Sequence, residues 1–409
     1  CVRKSFGYLF FRKGTVPSNP KTVYTLYQGN ARKPKLKGTV PSHIAHAKTS
    51  KKTNEFKNIQ HMRPENIDWN NLKFGYTRTP VNVRCYCRDG QWGDIEEHTE
   101  ETVTMHMAAT ALHYGQTAFE GLKAFRCPDG KVRVFRMDEN ARRMQSSAEY
   151  LRMGVPSVEL FCEMVTRVVT LNKEYIPPYE SGGSLYIRPV IVGSGPQLGV
   201  KPAGETLLLM FVSPVGPYYS GGMKGISAIV DRTHDRAAPF GTGHTKAGGN
   251  YGASLTSALE GHEKGYDSVL YLDPAQHRYI DECGAANFFG IRVDGAADGG
   301  RAHYITPASH SILPSITNKS LRQIAADFGM EVEARHVELD ELNTFSEAGC
   351  CGTAAVITPV STIFDPADGK TYRFGEGVGP WSKKLYDELV AIQHGEVEDR
   401  HGWNTVLDL

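Results

Sequence analysis

The chain has 409 residues, enough for two ordinary domains, each with its own core. Its 46 Lys and Arg nearly balance 45 Asp and Glu, but residues 1–60 hold 13 basic side chains against one acid, Glu55, leaving 33 basic and 44 acidic groups in the rest. A mildly acidic body argues against nucleic acid as a partner, and no apolar run approaches the ~20 residues that span a bilayer. Eight scattered cysteines form neither a CxxC pair nor a His/Cys zinc pattern, so the expectation is free thiols in a reducing, cytoplasmic setting, with no disulfide framework and no metal.

Residues 1–61 lack methionine, begin with Cys1 and are rich in Lys, Pro, Ser and Thr. The apolar patch Tyr8 to Phe11 is too short for a signal peptide and ends in Arg12-Lys13. An organellar transit peptide is one reading, although those favour Arg over Lys. The preferred reading is a disordered extension or sequence upstream of Met62 translated in frame, because ordinary acidic and aromatic sequence begins at Arg63 to Trp69.

The body alternates strand and helix signals. Lys131 to Arg136 has period two, and Asp138, Glu139 and Asn140 offer caps for a helix through Met153. Phe161, Met164, Val165 and Val168 have the spacing of one helical face. Ser184 to Val192 and Thr206 to Ser213 read as buried strands. Pro214 to Gly225, with two prolines and four glycines around Tyr218-Tyr219, reads as a linker. Beyond it come strands at Ile226 to Asp231, Ser268 to Leu272 and Asn287 to Val293, and helices at Tyr251 to Lys264, Ser315 to Asp327 and Trp381 to His394. The expected domains are 62–213 and 226–409, joined by 214–225, in an α/β and α+β architecture.

Lys246 is the most informative residue. It lies in GTGHTKAGGNY (Gly241 to Tyr251), among four glycines that permit close backbone approach. A desolvated lysine has a lowered pKa and a nucleophilic amine, which suits imine chemistry. A Walker-type phosphate loop requires Ser or Thr after the lysine, and here Ala247 follows. A glycine-rich surface loop that happens to carry a lysine is the plain alternative.

Further stretches occur in order: His113-Tyr114-Gly115, Phe119-Glu120-Gly121, Tyr186-Ile187-Arg188-Pro189, Lys246 to Tyr251, Asp281-Glu282 with Asn287-Phe288, Leu313 to Thr317, and Gly352 to Ala355 leading to Thr358-Pro359-Val360. Together they resemble a branched-chain amino acid aminotransferase of the fold-type IV pyridoxal-phosphate enzymes (D-amino-acid aminotransferase-like), from about Asp68 to Trp403. The resemblance implies a two-domain homodimer with pyridoxal 5′-phosphate held covalently by Lys246. This enzyme would move amino groups between leucine, isoleucine or valine and 2-oxoglutarate.

By the same resemblance Lys246 is also the catalytic base and acid. Tyr251 meets the cofactor's phenolate oxygen, and Glu282 lies beside the pyridine nitrogen. Arg143, Ile316, Thr317 and Thr353 hold the phosphate, helped by the helix N-terminus at Ser315, and Leu313 packs against the ring. Arg142, next to Arg143, is expected to point elsewhere. Tyr114, Phe119 and Tyr186 wall the substrate pocket, and Arg188 meets the γ-carboxylate of glutamate or fixes the tyrosines. Tyr218 lines the entrance, and Thr353-Ala354 offer N–H groups to the α-carboxylate. Glu282 alone would pass for a solvated turn residue, and Ser315-Ile316-Thr317 for an ordinary cap. The animal enzymes carry a CxxC pair after the Gly-Thr-Ala turn; here those positions are Ala355 and Thr358, so that redox switch is expected to be absent. A D-amino-acid transaminase, a 4-aminobenzoate-forming lyase and a binding protein without chemistry are the rival readings.

Overall fold

The computed structural model describes residues 63–216, 223–295 and 300–409. The extension 1–61, and Tyr218 in the expected linker, lie outside these residues.

Among the described residues the strands form two nine-stranded sheets. The first runs Asn404–Leu407, Val132–Phe135, Leu122–Arg126, Ser184–Gly193, Glu205–Val215, Asn82–Arg88, Gln91–Trp92. Glu96–His98 adds to Asn82–Arg88, and Thr117–Phe119 adds to Ser184–Gly193. Every pairing in it is antiparallel. Strand Ser184–Gly193 alternates: Leu185, Ile187 and Ile191 are fully buried, while Tyr186 and Arg188 share the opposite, half-buried face. The buried face packs on helices Met137–Tyr150 and Val158–Leu171. The expected stripe Phe161, Met164, Val165 and Val168 is fully inside, each such burial contributing about 1.5–3 kcal/mol.

Helix Met137–Tyr150 starts differently from the sequence reading. Its N-cap is Arg136 in the left-handed region (φ 49°), without a side-chain cap; Asp138 and Glu139 fall inside the first turn, where they oppose the helix dipole's positive end. Ser157, by contrast, caps the next helix by accepting from the Leu160 N–H.

The second sheet runs Ile280–Cys283, Ser268–Leu272, Ile226–Val230, Val356–Asp365, Glu347–Gly352, Ala286–Asp294, Arg301–Pro307, Glu331–Arg335, with Lys370–Arg373 on Val356–Asp365. Ile280–Cys283 also pairs with Ala286–Asp294, which closes six strands into a ring. Parallel and antiparallel pairs mix here, matching the expected α/β and α+β class. Helices Ile316–Asp327 and Pro380–His394 cover one flank.

Two further differences from the sequence reading concern the site's surroundings. The helix expected from Tyr251 to Lys264 is two pieces, Gly248–Ala253 and Leu255–Glu263, broken at Ser254. Strand Asn404–Leu407, expected in the second domain, pairs with Val132–Phe135 of the first sheet, so the chain's end crosses back.

Candidate active site

Lys246 immediately precedes the helix Gly248–Ala253, where Ala247 is an extended N-cap. Three backbone and side-chain links fix the lysine against the first sheet. Its carbonyl accepts from the Phe119 N–H at 3.1 Å, its own N–H donates to Ser147 Oγ at 3.2 Å, and Ala118 bridges Ala247. Gly243 is required as glycine, because a Cβ there would collide with the backbone of Ser311. The loop is thus threaded between two other segments rather than solvated, which removes the surface-loop alternative.

The Lys246 amine donates to Tyr251 Oη at 3.0 Å and lies 4.8 Å from the centre of the Phe119 ring. Burial, and then the Arg143 cation, bring its pKa down to about 8. Tyr251 is pushed up to about 12, by burial first and by the Glu282 charge second, so its phenol stays protonated. Phe119 packs edge-on against Tyr251 with centroids 4.7 Å apart.

Glu282, far from a solvated turn glutamate, is 2% exposed within strand Ile280–Cys283. Its Oε1 accepts from the Leu313 N–H at 2.6 Å and from Asn287 Nδ2 at 3.3 Å. Its Oε2 faces Arg236 Nε at 3.4 Å. Burial raises its pKa, and Arg236 is the largest influence holding it down. Arg236 Nη2 donates to the carbonyls of Gly243 and Ser311, and so ties the Lys246 loop to the segment before Leu313.

Arg143 is held by Glu120: Nε and Nη2 each donate at 2.7 Å to a carboxylate that is fully buried. Nη1 donates to Pro314 O at 2.9 Å, which places the cation beside the N-terminus of helix Ile316–Asp327. There Ser315 caps by accepting from Asn318 N at 3.2 Å, and the N–H groups of Ile316 and Thr317 are the remaining donors of the first turn. A cavity of about 380 Å³ opens at this point, lined by Arg143, Ser146, His244, Ser315 and Ile316 among others. Arg142 donates to Asp138 at 2.5 Å and also borders this cavity, so it does not point elsewhere as expected.

Across the site, Arg188 Nη2 donates to Tyr186 Oη at 3.0 Å, and its guanidinium lies 4.8 Å from the Phe119 ring centre. No carboxylate lies within ion-pair distance of Arg188 among the described residues, and its Nε has no acceptor. The lack of a side chain at Gly121 lets the Tyr186 hydroxyl sit against the backbone, where a Cβ would displace the ring. Thr353 and Ala354 sit in the three-residue turn between paired Gly352 and Val356. Tyr114 is on the rim, 43% exposed, with its hydroxyl donating to Leu198 O and its ring against His113. The structure therefore joins Lys246, Tyr251, Phe119, Tyr186 and Arg188 through direct contacts. It joins Glu282 to Leu313 and Arg143 to the Ile316-Thr317 helix start, and leaves Tyr114 apart.

Sequence reasoning missed Glu120, Lys123, Arg236, Ser147 and Asn287 as working parts of the site. Glu120 and Asn287 stand within the ordered stretches, but only the buried partner Arg143, 23 residues on, gives Glu120 a role. Nothing local marks Arg236.

Residues 117–363 match the family model described as amino-transferase class IV, which defines the class of the fold and site. The chain is 46% identical over 341 residues to the branched-chain-amino-acid aminotransferase of Helicobacter pylori strain J99, covering 83% of this chain and 97% of that relative. Its fold is similar to the branched-chain amino acid aminotransferase of Escherichia coli, with a TM-score of 0.66 and 30% identity over 80% of this chain and 99% of that one. It is likewise similar to a T.th. branched-chain amino acid aminotransferase complexed with N-(5′-phosphopyridoxyl)-L-glutamate, with a TM-score of 0.64 and 27% identity over 80% and 99% of the two chains. The chain belongs to the branched-chain-amino-acid aminotransferases of class IV.

Proposed function

We propose that this chain moves the amino group between leucine, isoleucine or valine and 2-oxoglutarate, using pyridoxal 5′-phosphate held by Lys246. The observation that carries the reading is a half-buried amine with a pKa of about 8 donating to Tyr251, between a buried carboxylate, Glu282, and an arginine without an anion, Arg188.

The residues fit the cofactor. An anion needs a cation and free N–H groups at one end, which Arg143, Ile316 and Thr317 supply, with Thr353 adding a hydroxyl. A protonated ring nitrogen needs a carboxylate at the other end, which Glu282 supplies. Leu313 would pack beside the ring, and its N–H orients Glu282. When bound, the cofactor supplies an aldehyde that receives the amino group and a ring that takes up electron density.

This chain's own work is proton handling and orientation. Desolvation leaves part of the Lys246 amine neutral near neutral pH, so its Nζ takes the proton from the substrate Cα and later returns it. Donation to Tyr251 Oη holds that amine in place, and the protonated phenol of Tyr251 remains a donor. Phe119 and Tyr186 give an apolar wall suited to branched side chains. Arg188 meets the second carboxylate when glutamate occupies the same pocket.

The same reading includes a homodimer, which rests on the family to which the chain belongs. It divides the body at 214–225 into two domains, with Asn404–Leu407 returning to the first sheet. Seven described cysteines are unpaired, which supports a reducing, cytoplasmic compartment. The test is an absorption spectrum of the purified protein followed by an amino-donor panel with 2-oxoglutarate. A cofactor band and turnover of leucine, isoleucine or valine are expected; a colourless protein, or turnover confined to other donors, would overturn the reading.

A further inference from the structure

Lys123 lies on strand Leu122–Arg126 of the first sheet, yet its amine donates at 2.8 Å to the carbonyl of Ala354 in the turn of the second sheet. No carboxylate pairs with it among the described residues, and burial alone brings its pKa down to about 8. A lysine desolvated without a counter-charge is costly, so one spent on a single carbonyl calls for a reason.

The turn supplies it. Gly352 and Val356 pair at the hairpin base, leaving a three-residue loop whose following residue adopts the left-handed conformation. That position favours glycine, but here it is Val356 at φ 64°. A β-branched residue in that region is strained and persists only where its surroundings hold it. The N–H groups of Thr353 and Ala354 find no acceptor among the described residues.

We propose that Lys123 is a positioning residue that clamps the strained Thr353-Ala354-Ala355 turn from across the two sheets, and so sets the turn's N–H groups toward the substrate α-carboxylate. Donation to the Ala354 carbonyl also polarises the peptide joining Ala354 to Ala355. The inference rests on the substrate reading above, in which that turn receives the α-carboxylate. It makes Lys123 a determinant of carboxylate affinity common to every amino donor and acceptor.

The test measures binding of 4-methylpentanoate and of its uncharged amide to the holoenzyme by calorimetry. The wild type, Lys123→Met, Lys123→Arg, Val356→Gly and the Met/Gly double variant are compared. Lys123→Met is expected to weaken the carboxylate about tenfold and leave the amide unchanged, with Lys123→Arg recovering part of the loss. In steady state, KM for leucine and for glutamate should rise by the same factor while kcat falls less. Val356→Gly frees the turn of its left-handed restraint while removing a buried side chain, so carboxylate affinity should fall while amide affinity holds, and the double variant should bind no more weakly than Lys123→Met. Carboxylate affinity within twofold of wild type in Lys123→Met, equal losses for acid and amide, or independent effects of the two substitutions would overturn the clamp. A wild type that binds acid and amide equally would overturn the substrate reading itself. Val356→Gly keeps the proposal testable if Lys123→Met folds poorly.

Discussion

Arg236 Nε lies 3.4 Å from Glu282 Oε2 while its Nη2 holds the carbonyls of Gly243 and Ser311. One guanidinium thus connects the loop that carries Lys246 with the carboxylate at the far side of the site. It opposes the rise in Glu282 pKa that burial imposes. Arg236→Met should therefore drive the Glu282 pKa further up, so the acid limb of the kcat/KM profile moves to higher pH, whereas Arg236→Lys keeps the cation and moves it less. Equal acid limbs in wild type and Arg236→Met would refute the role. Glu282→Gln should lower kcat/KM by about 10²-fold or more while changing cofactor affinity only a few fold, as read by cofactor titration.

Glu120 and Arg143 form a buried bidentate pair, with the carboxylate fully covered and its pKa lowered against the burial effect by that arginine. Removing one partner leaves an uncompensated charge, so Glu120→Gln should cost about 3–5 kcal/mol in denaturant unfolding. Glu120→Gln with Arg143→Met should cost less than the sum of the single changes. Additive costs would mean that the pair is not coupled.

Arg188→Ala should reduce glutamate turnover more than leucine turnover. The arginine has no anionic partner of its own among the described residues, and its aromatic neighbours Phe119 and Tyr186 survive the change. The opposite ranking in paired kcat/KM measurements would show that dual specificity lies elsewhere.

Both Lys246 and Lys123 have folded pKa values near 8, below the ordinary lysine value of 10.5. At these two groups the unfolded chain binds more protons between those limits, so each amine makes folding more favourable as pH rises through that window, while buried thiols such as Cys85 and Cys162, raised to about 11, act in the opposite sense. Without cofactor, the Tm difference between wild type and Lys246→Met should therefore shift in favour of the wild type from about pH 8 to 10.5. A difference that stays constant across this window would contradict the desolvation argument for Lys246.

Local patterns carried far into the structure. Strand Ser268–Leu272 keeps its expected bounds, the stripe from Phe161 to Val168 is buried as spaced, and Ser315 caps the helix whose start it marks. Strand Glu347–Gly352 left no such signal, because its small residues gain their fit from Phe289, whose ring fills the space beside Gly349. The return of Asn404–Leu407 to the first sheet was equally hidden, since pairing between distant segments has no local mark. At the site, Lys246 stood out by its glycine-flanked motif, whereas Tyr251 and Glu282 were picked out only through the family resemblance, since Asp281-Glu282 alone reads as a turn. Glu120, Lys123 and Arg236 were not legible, because each acts through a partner distant in sequence: Arg143, Ala354 and Glu282.

The most direct test of the central claim is borohydride reduction of the holoenzyme followed by peptide mapping. A pyridoxyl group on Lys246, absent from Lys246→Ala, is the predicted result. A label on any other lysine, Lys123 included, or no label on an active protein, would contradict the account.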